Sequence, residues 1–173
     1  MMLPVRHVYP SLLCLLCLFS LSAVPAQSAG QFTGSVISVS DGDTISVLES
    51  GKQQVKIRLY GIDCPESGQA FGMRAKQATS DAVFGKQVVV QPIDTDHYGR
   101  TVAIVGIPGG KSLNERLVRD GLAWVYSQHC TREDICEPLR KLEKAARISK
   151  RGLWSDKAPV PPWEWKKLRG VRK

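Results

Sequence analysis

The feature that most constrains the fold is a series of short segments in which apolar residues recur with the two-residue period of a β-strand. Over 55–60, three aliphatic residues alternate with polar or aromatic ones, which places Arg58 on the face opposite to the aliphatic side chains. Asp41-Gly42, which lies between two such segments, is a hairpin-turn signal. The predicted strands cover 32–39, 44–48, 55–60, 87–91 and 101–107, and Pro92 is expected to end the fourth.

After the third strand the apolar pattern changes to that of a helix. Phe71, Ala75, Ala78 and Ala82 fall at i, i+4, i+7 and i+11, which predicts a helix within 69–84. Further helices are predicted from Leu113 to about Gly121 and over 133–149. This order of elements predicts an α+β, mainly β fold, in which a five-stranded Greek-key barrel of the OB type carries about three packed helices.

The first 29 residues have the pattern of a secretory signal peptide. A weakly basic start precedes the apolar run Ser11–Val24, which is short for a membrane span, and small residues follow it. We therefore expect cleavage after Ala26 or Ala29, a secreted or periplasmic protein, and no stable membrane association. The alternative is an uncleaved anchor. The predicted division is a signal peptide at 1–29, an OB-fold domain at 30–156 and a basic C-terminal tail with Pro and Trp at 157–173.

The mature chain is strongly basic. Residues 1–29 contain one arginine and no acid, so their removal lowers the formal charge from +8 only to +7. An exported protein with this charge is expected to meet polyanions, which include nucleic acids, acidic glycans and anionic lipids. Charge alone does not choose among these partners.

Three cysteines remain after the predicted processing. Cys130 and Cys136 are close in sequence, and in an oxidising compartment we expect a disulfide between them. A zinc site is the alternative, but there is no second pair of ligands nearby in the sequence. Cys64 has apolar neighbours and is expected to be a buried free thiol.

Carboxylates follow or separate the predicted strands at several points. Asp41 and Asp43 flank a glycine in one turn, and Asp63 and Glu66 follow the third strand. A turn of this composition usually binds nothing, and the twelfth position of an EF-hand loop would here be Lys52 instead of glutamate. Taken together, however, the carboxylates can supply a sparse oxygen site for Ca²⁺, which is abundant outside the cell.

Two arginines add to this set. Taken singly, Arg58 is most simply a solvated strand residue and Arg100 a turn-capping residue. With the carboxylates they provide cation ligands, a spare base and two guanidinium groups, which are the groups that hydrolysis of a phosphodiester requires. Of Trp124 and Tyr126, one is expected in the core and the other to stack on a base.

Four segments in order resemble the staphylococcal nuclease (thermonuclease) family, and the resemblance extends from about Phe32 to Trp154. The segments are 39–44, 57–66, 96–100 and 113–123. The resemblance implies an OB-fold barrel with helices and a monomeric enzyme that cleaves DNA and RNA with Ca²⁺, leaving 3′-phosphates.

The resemblance also implies roles for individual residues. Asp43, Asp63 and the backbone carbonyl of Cys64 would hold Ca²⁺, with Asp41 and Thr44 supporting them. Glu66 would be the general base. Arg58 and Arg100 would bind the phosphate, and Tyr98 and Tyr126 would contact the nucleotide.

The chain departs from the family's founding member at two of these places. Cys64 replaces a threonine, which preserves a backbone ligand but not a hydroxyl contact to water on the metal. His97 replaces a lysine beside Tyr98, which removes one phosphate contact.

Two other functions are kept as alternatives: a non-catalytic OB-fold module that binds single-stranded nucleic acid, and an extracellular structural protein that binds calcium or glycans. Neither would need the two metal carboxylates, Glu66 and both arginines together.

Overall fold

A computed structural model describes residues 30–50 and 53–170. The predicted signal peptide lies outside the described residues. No helix among the described residues combines the length and apolar character needed to cross a membrane.

Five strands close into a barrel. They are β1 (Phe32–Asp41), β2 (Thr44–Glu49), β3 (Gln54–Leu59), β5 (Gln87–Thr95) and β6 (Thr101–Gly106). Their order around the barrel is β1-β2-β3-β6-β5, with β5 paired to β1. All neighbours are antiparallel except β3 and β6, which are parallel. The predicted five-stranded barrel of the OB type is confirmed.

The alternation in the sequence corresponds to the inside and outside of the barrel. Ile57 and Leu59 of β3 are buried in the core with Ile45 and Val47 of β2, whereas Arg58 points away from them and is only half-buried. Removing these aliphatic side chains from water supplies the main driving force that closes the barrel.

Pro92 does not end β5, contrary to the prediction. The strand continues to Thr95, and the register with β6 shifts between Pro92 and Asp94. Proline has no N–H for the ladder, and an irregularity in pairing lets a strand pass through such a residue. The continuation carries β5 to the turn that presents Arg100.

Helices pack on the barrel at the predicted places, with shorter bounds for the first. They are α1 (Gly72–Val83), α2 (Leu113–Arg119) and α3 (Glu133–Ile148), followed by a 3₁₀ turn at Gly152–Ser155. Helix α1 begins at Gly72 instead of residue 69 because Phe71 adopts a left-handed backbone conformation with φ 67°. Buried Asn114 of α2 accepts from the Val105 N–H and donates to the Tyr60 carbonyl, which ties this helix to the barrel.

Two short strands were not predicted. β4 (Ile62–Asp63) pairs antiparallel with β7 (Trp124–Val125) outside the barrel, which fixes the backbone of Asp63. A two-residue strand has no period that a sequence pattern can show. Nearby, a disulfide joins Cys130 and Cys136, while Cys64 is free and buried.

The predicted C-terminal tail contains a fourth helix, α4 (Pro162–Gly170), for which the sequence pattern gave no prediction. Its Trp163 ring is parallel to the Tyr126 ring at 4.8 Å between centroids. Gln69 Nε2 donates to the Val160 carbonyl just before the helix, at 2.6 Å. These contacts hold α4 beside the residues that the sequence analysis singled out.

Candidate active site

The turn between β1 and β2 is held against the end of β3. The Asp43 carbonyl accepts from the Leu59 N–H at 2.9 Å, and Thr44 pairs with Arg58 across the sheet. Asp41 Oδ1 accepts from the Asp43 N–H at 3.2 Å and so supports the turn from within. Backbone pairing therefore brings Asp43, in the β1–β2 turn, next to Arg58 of β3.

Arg58 bridges the two carboxylates that the resemblance implies as metal ligands. Its Nη1 lies 2.8 Å from Asp43 Oδ2 and its Nη2 lies 2.6 Å from Asp63 Oδ1. The Nη2 contact is a hydrogen bond, whereas buried Nη1 has no aligned acceptor among the described residues. The Arg58 side chain is 16% exposed, so its positive charge, although shared by two carboxylates, can also be reached by an anion from solution.

Asp43 is fixed by further donors. Its Oδ2 accepts from the Cys64 N–H at 2.6 Å, and its Oδ1 accepts from Thr44 Oγ1 at 3.2 Å. The buried Cys64 side chain packs against the β1–β2 turn: a methyl group placed on Gly42 would lie only 2.8 Å from the Cys64 sulfur. The cysteine therefore contributes its backbone to the site, while its side chain packs beneath the turn.

Burial raises the pKa of Asp43 to about 7, since desolvation and the nearby carboxylates Asp41 and Asp63 outweigh the opposing effect of Arg58. The pKa of Asp63 is also raised, first by burial. Because it costs free energy to ionise both buried carboxylates side by side, an additional cation that binds between them would stabilise their charged forms.

The donor set fits a hard metal ion. Asp43 and Asp63 both present carboxylate oxygens to the Arg58 guanidinium, and oxygen is the ligand atom that Ca²⁺ and Mg²⁺ take. Within 30–50 and 53–170, no three His, Cys, Asp or Glu side chains are grouped as a complete metal site. A metal held here would therefore complete its coordination with backbone oxygen and water, as Ca²⁺ tolerates.

Glu66 lies on the connection between β4 and α1, and its side chain is 43% exposed. The Gln69 side-chain oxygen accepts from the Glu66 N–H at 3.1 Å. Lys166 of α4 places its Nζ 2.9 Å from Glu66 Oε1 and 4.0 Å from Asp63 Oδ2. The predicted base is thus accessible to water, and in this structure it forms an ion pair with a residue of the C-terminal segment.

Arg100 is positioned by Asp96 in the turn between β5 and β6. Asp96 Oδ2 accepts from Arg100 Nε at 2.6 Å, and Asp96 Oδ1 accepts from the backbone N–H groups of Tyr98 and Arg100. Burial pushes the pKa of Asp96 up, but the hydrogen bonds from Arg100 and Tyr98 outweigh it and lower that pKa. Because only Nε is engaged among the described residues, both Nη groups of Arg100 are available for an anion.

A cleft of about 420 Å³ brings several of these side chains together. Of the residues predicted from the sequence, it is lined by Arg58, Asp63, Arg100 and Tyr126. Glu66 lies beside it in a neighbouring depression that shares Lys166.

The two tyrosines that were predicted to contact the nucleotide have different surroundings. Tyr98 is 73% exposed, does not line the cleft, and packs against His97 and beneath the Arg100 guanidinium. Tyr126 does line the cleft, but Trp163 covers one of its faces. Of Trp124 and Tyr126, one was expected in the core, and Trp124 is the buried one.

Sequence reasoning missed the contributions of Asp96 and of α4. Asp96 has no predicted role of its own, yet it orients Arg100. The available signal was an aspartate four residues before an arginine in a turn. Trp163, Lys166 and Lys167 also line the cleft, and their signal was the basic, tryptophan-containing composition of the tail.

Comparison with known proteins places this geometry in a family. The family model described as "Staphylococcal nuclease homologue" matches residues 56–156. The chain is 40% identical over 84% of its length to a protein named "Micrococcal nuclease" from Shigella flexneri, covering 85% of that protein. It is 46% identical to an "Uncharacterized endonuclease" from Escherichia coli O157:H7, over 77% of this chain and 84% of the other. "Protein ParB" of Escherichia coli is 39% identical, over 87% and 88% of the two chains.

The family match covers more than half of the chain and includes Arg58 of β3, the carboxylates at 63 and 66, and Arg100. The barrel, its helices and the sequence matches agree. The chain therefore belongs to the staphylococcal nuclease family.

Proposed function

We propose that this protein is a Ca²⁺-dependent nuclease that hydrolyses phosphodiester bonds of DNA, RNA or both and leaves 3′-phosphate products. The nuclease class is supported by the family and by the printed names of similar proteins. The observation that carries the proposal is that Arg58, which bridges the buried carboxylates Asp43 and Asp63, lines the same cleft as Arg100.

In the proposed reaction, water attacks phosphorus in line with the bond to the 5′-oxygen. Glu66 accepts the proton of the attacking water, and the 5′-oxygen leaves and takes up a proton to become a hydroxyl. Arg58 and Arg100 donate to the phosphate oxygens, and their hydrogen bonds strengthen as negative charge grows there. The phosphate that remains on the 3′ side is the product end.

Asp43 and Asp63 would hold Ca²⁺, with the backbone carbonyl of Cys64 as the third protein ligand. When bound, the ion would supply positive charge that polarises the phosphate and lowers the pKa of bound water. Asp41 and Thr44 keep the Asp43 carboxylate in place through the backbone and hydroxyl contacts described above. Mg²⁺ demands a stricter octahedral geometry, so we expect it to replace Ca²⁺ poorly.

The predicted export supports the choice of metal, because millimolar extracellular Ca²⁺ tolerates a weak, largely hydrated site. We propose that the protein acts as a monomer in the periplasm or outside the cell. Its positive charge would favour encounter with nucleic acid there.

A cleavage assay tests the proposal. Purified protein should degrade single-stranded DNA and RNA with added Ca²⁺, stop when chelator is in excess, and give 3′-phosphate ends on end-group analysis. Glu66→Gln keeps the size of the side chain but removes the base, and it should bind the same substrate with little turnover. Full activity in chelator would refute the metal requirement, and near-normal turnover of Glu66→Gln would remove Glu66 from the mechanism. Binding without any cleavage would instead favour the non-catalytic OB-fold module.

A further inference from the structure

Helix α4 lies beyond the residues that the family model matches, which end at 156, yet it forms one side of the candidate active site. Trp163 stacks on Tyr126 with 4° between the ring planes and meets Trp124 edge-on at 5.9 Å. Gln69, just before α1, donates a hydrogen bond to the Val160 carbonyl, just before α4. The helix is therefore held both by the aromatic rings and by the segment that precedes α1. The helix is a fixed wall of the cleft.

Two lysines of this wall face the cleft. Lys166 lies against Glu66 and Asp63, as described above, and Lys167 lines the cleft together with Arg58 and Arg100. Lys167 forms no ion pair with any residue in the described part of the chain. Arg58 bridges two carboxylates and Arg100 pairs with one, whereas Lys167 has no carboxylate in contact among the described residues, so its ammonium group is available to an anion.

Positive charges gathered in one cleft repel each other, and an anion that enters between them removes this cost. The ion pair between Lys166 and Glu66 does not prevent such entry. Its side chains are 54% and 43% exposed, and exposed ion pairs of this kind are weak and exchange readily. An incoming phosphate can therefore replace Glu66 as the partner of Lys166.

We propose that α4 is part of the substrate-binding surface and that Lys166 and Lys167 bind a phosphate of the nucleic acid strand next to the bond that is cleaved. This inference rests on the proposed function for the identity of the substrate. Transfer of Lys166 from Glu66 to phosphate also leaves the Glu66 carboxylate free to accept the proton of the attacking water. Substrate binding and release of the base are thus linked through one side chain.

A rival interpretation treats α4 as an obstruction, because Lys166 neutralises Glu66 and Trp163 covers a face of Tyr126. The two interpretations predict opposite effects. If the lysines bind substrate, their loss weakens binding; if they block the site, their loss accelerates cleavage.

The experiment compares Lys166→Met/Lys167→Met with Lys141→Met/Lys144→Met. The control removes the same charge from exposed positions of α3 that do not line the cleft. Binding of a fluorescent single-stranded DNA with phosphorothioate linkages, which resist cleavage, is measured by anisotropy over a series of salt concentrations. Steady-state cleavage of ordinary single-stranded DNA is measured in parallel.

Loss of the contacts to this one phosphate should reduce affinity about 10-fold at low salt and lower the slope of log K against log salt by about 0.7. KM should rise by a similar factor, while kcat stays within about twofold of the wild-type value. Lys166→Arg/Lys167→Arg keeps the positive charge and should retain the wild-type affinity and salt slope. The α3 control should change the slope by less than half as much.

An unchanged slope, an equal loss in the α3 control, or faster cleavage by the α4 variant would each overturn the inference. The proposed function fails separately. Wild-type protein that binds but never cleaves would refute the nuclease and leave α4 as a binding surface, whereas normal cleavage with no effect of the α4 lysines would refute only the role of α4.

Discussion

At the scale of single residues, the two arginines that were assigned the same role have different surroundings. Arg58 lies between Asp43 and Asp63, both of which are buried. Arg100 has a single carboxylate partner, Asp96, at a more exposed turn. Their contribution to phosphate binding can therefore be similar while their contribution to folding differs.

We expect Arg58→Ala and Arg100→Ala each to reduce kcat by about 10²–10³, as loss of a donor to developing charge does in other enzymes. Arg58→Ala should in addition lower the free energy of unfolding by about 3 kcal/mol in chelator, because two buried carboxylates then face each other without a cation. Arg100→Ala should lower it by less than about 1 kcal/mol. Urea denaturation at neutral pH measures the difference, and equal destabilisation of the two variants would contradict it.

At the scale of elements, the sequence predicted the barrel strands and three helices because their apolar faces repeat over many residues. Helix α2 is also marked locally, since Ser112 and Glu115 form a capping box. The sequence did not predict the pairing of β4 with β7 or the docking of α4 on Tyr126. Both depend on contacts between distant segments, and neither has a repeating pattern in the sequence. The continuation of β5 through Pro92 depends on an irregularity in pairing that only the partner strand reveals.

The first residue of helix α1, Gly72, packs against the backbone of Glu66, the proposed general base. A methyl group on Gly72 would lie 1.8 Å from the carbonyl oxygen of Glu66, so this position requires glycine for the close approach of two backbones. On Gly106 of β6, the nearest atoms would be 3.5 Å away, which is ordinary contact.

Gly72→Ala should therefore displace the segment that carries Glu66. We expect the free energy of unfolding to fall by about 1–3 kcal/mol, as in other overpacked sites, and turnover to fall with it under conditions where the variant is still folded. Gly106→Ala should leave both nearly unchanged. Thermal melting and the cleavage assay compare the two variants, and a stable, fully active Gly72→Ala protein would show that Glu66 does not depend on this helix start.

At the scale of the whole molecule, the candidate site is assembled from four places in the chain: the β1–β2 turn, the β3–β4 region, the β5–β6 turn and α4. Motif spacing was enough to predict that the carboxylates at 43, 63 and 66 and the arginines at 58 and 100 belong together, since the resemblance covers all of these positions. It was not enough to predict that Arg58 would bridge Asp43 and Asp63, because that contact depends on the burial and charge balance of the folded barrel. The same balance explains why an additional cation, from α4 or from solution, suits this site.

The disulfide connects this site to the compartment in which the protein is expected to work. Cys130 and Cys136 close a loop at the start of α3, and the Cys130 sulfur lies directly against Gly61, next to β4. Cys130→Ser/Cys136→Ser should lower the free energy of unfolding by about 2 kcal/mol, because the unfolded chain gains the freedom that so short a loop removes. Wild-type protein under strong reductant should show the same loss, since Cys64 is free in the structure. Urea denaturation of oxidised, reduced and variant proteins measures the three values. After the predicted processing, Cys64 is the remaining cysteine of the double variant, so a reductant effect that persists there would mean that Cys64 forms a disulfide with a second molecule, and it would contradict the buried free thiol beneath the turn that carries Asp43.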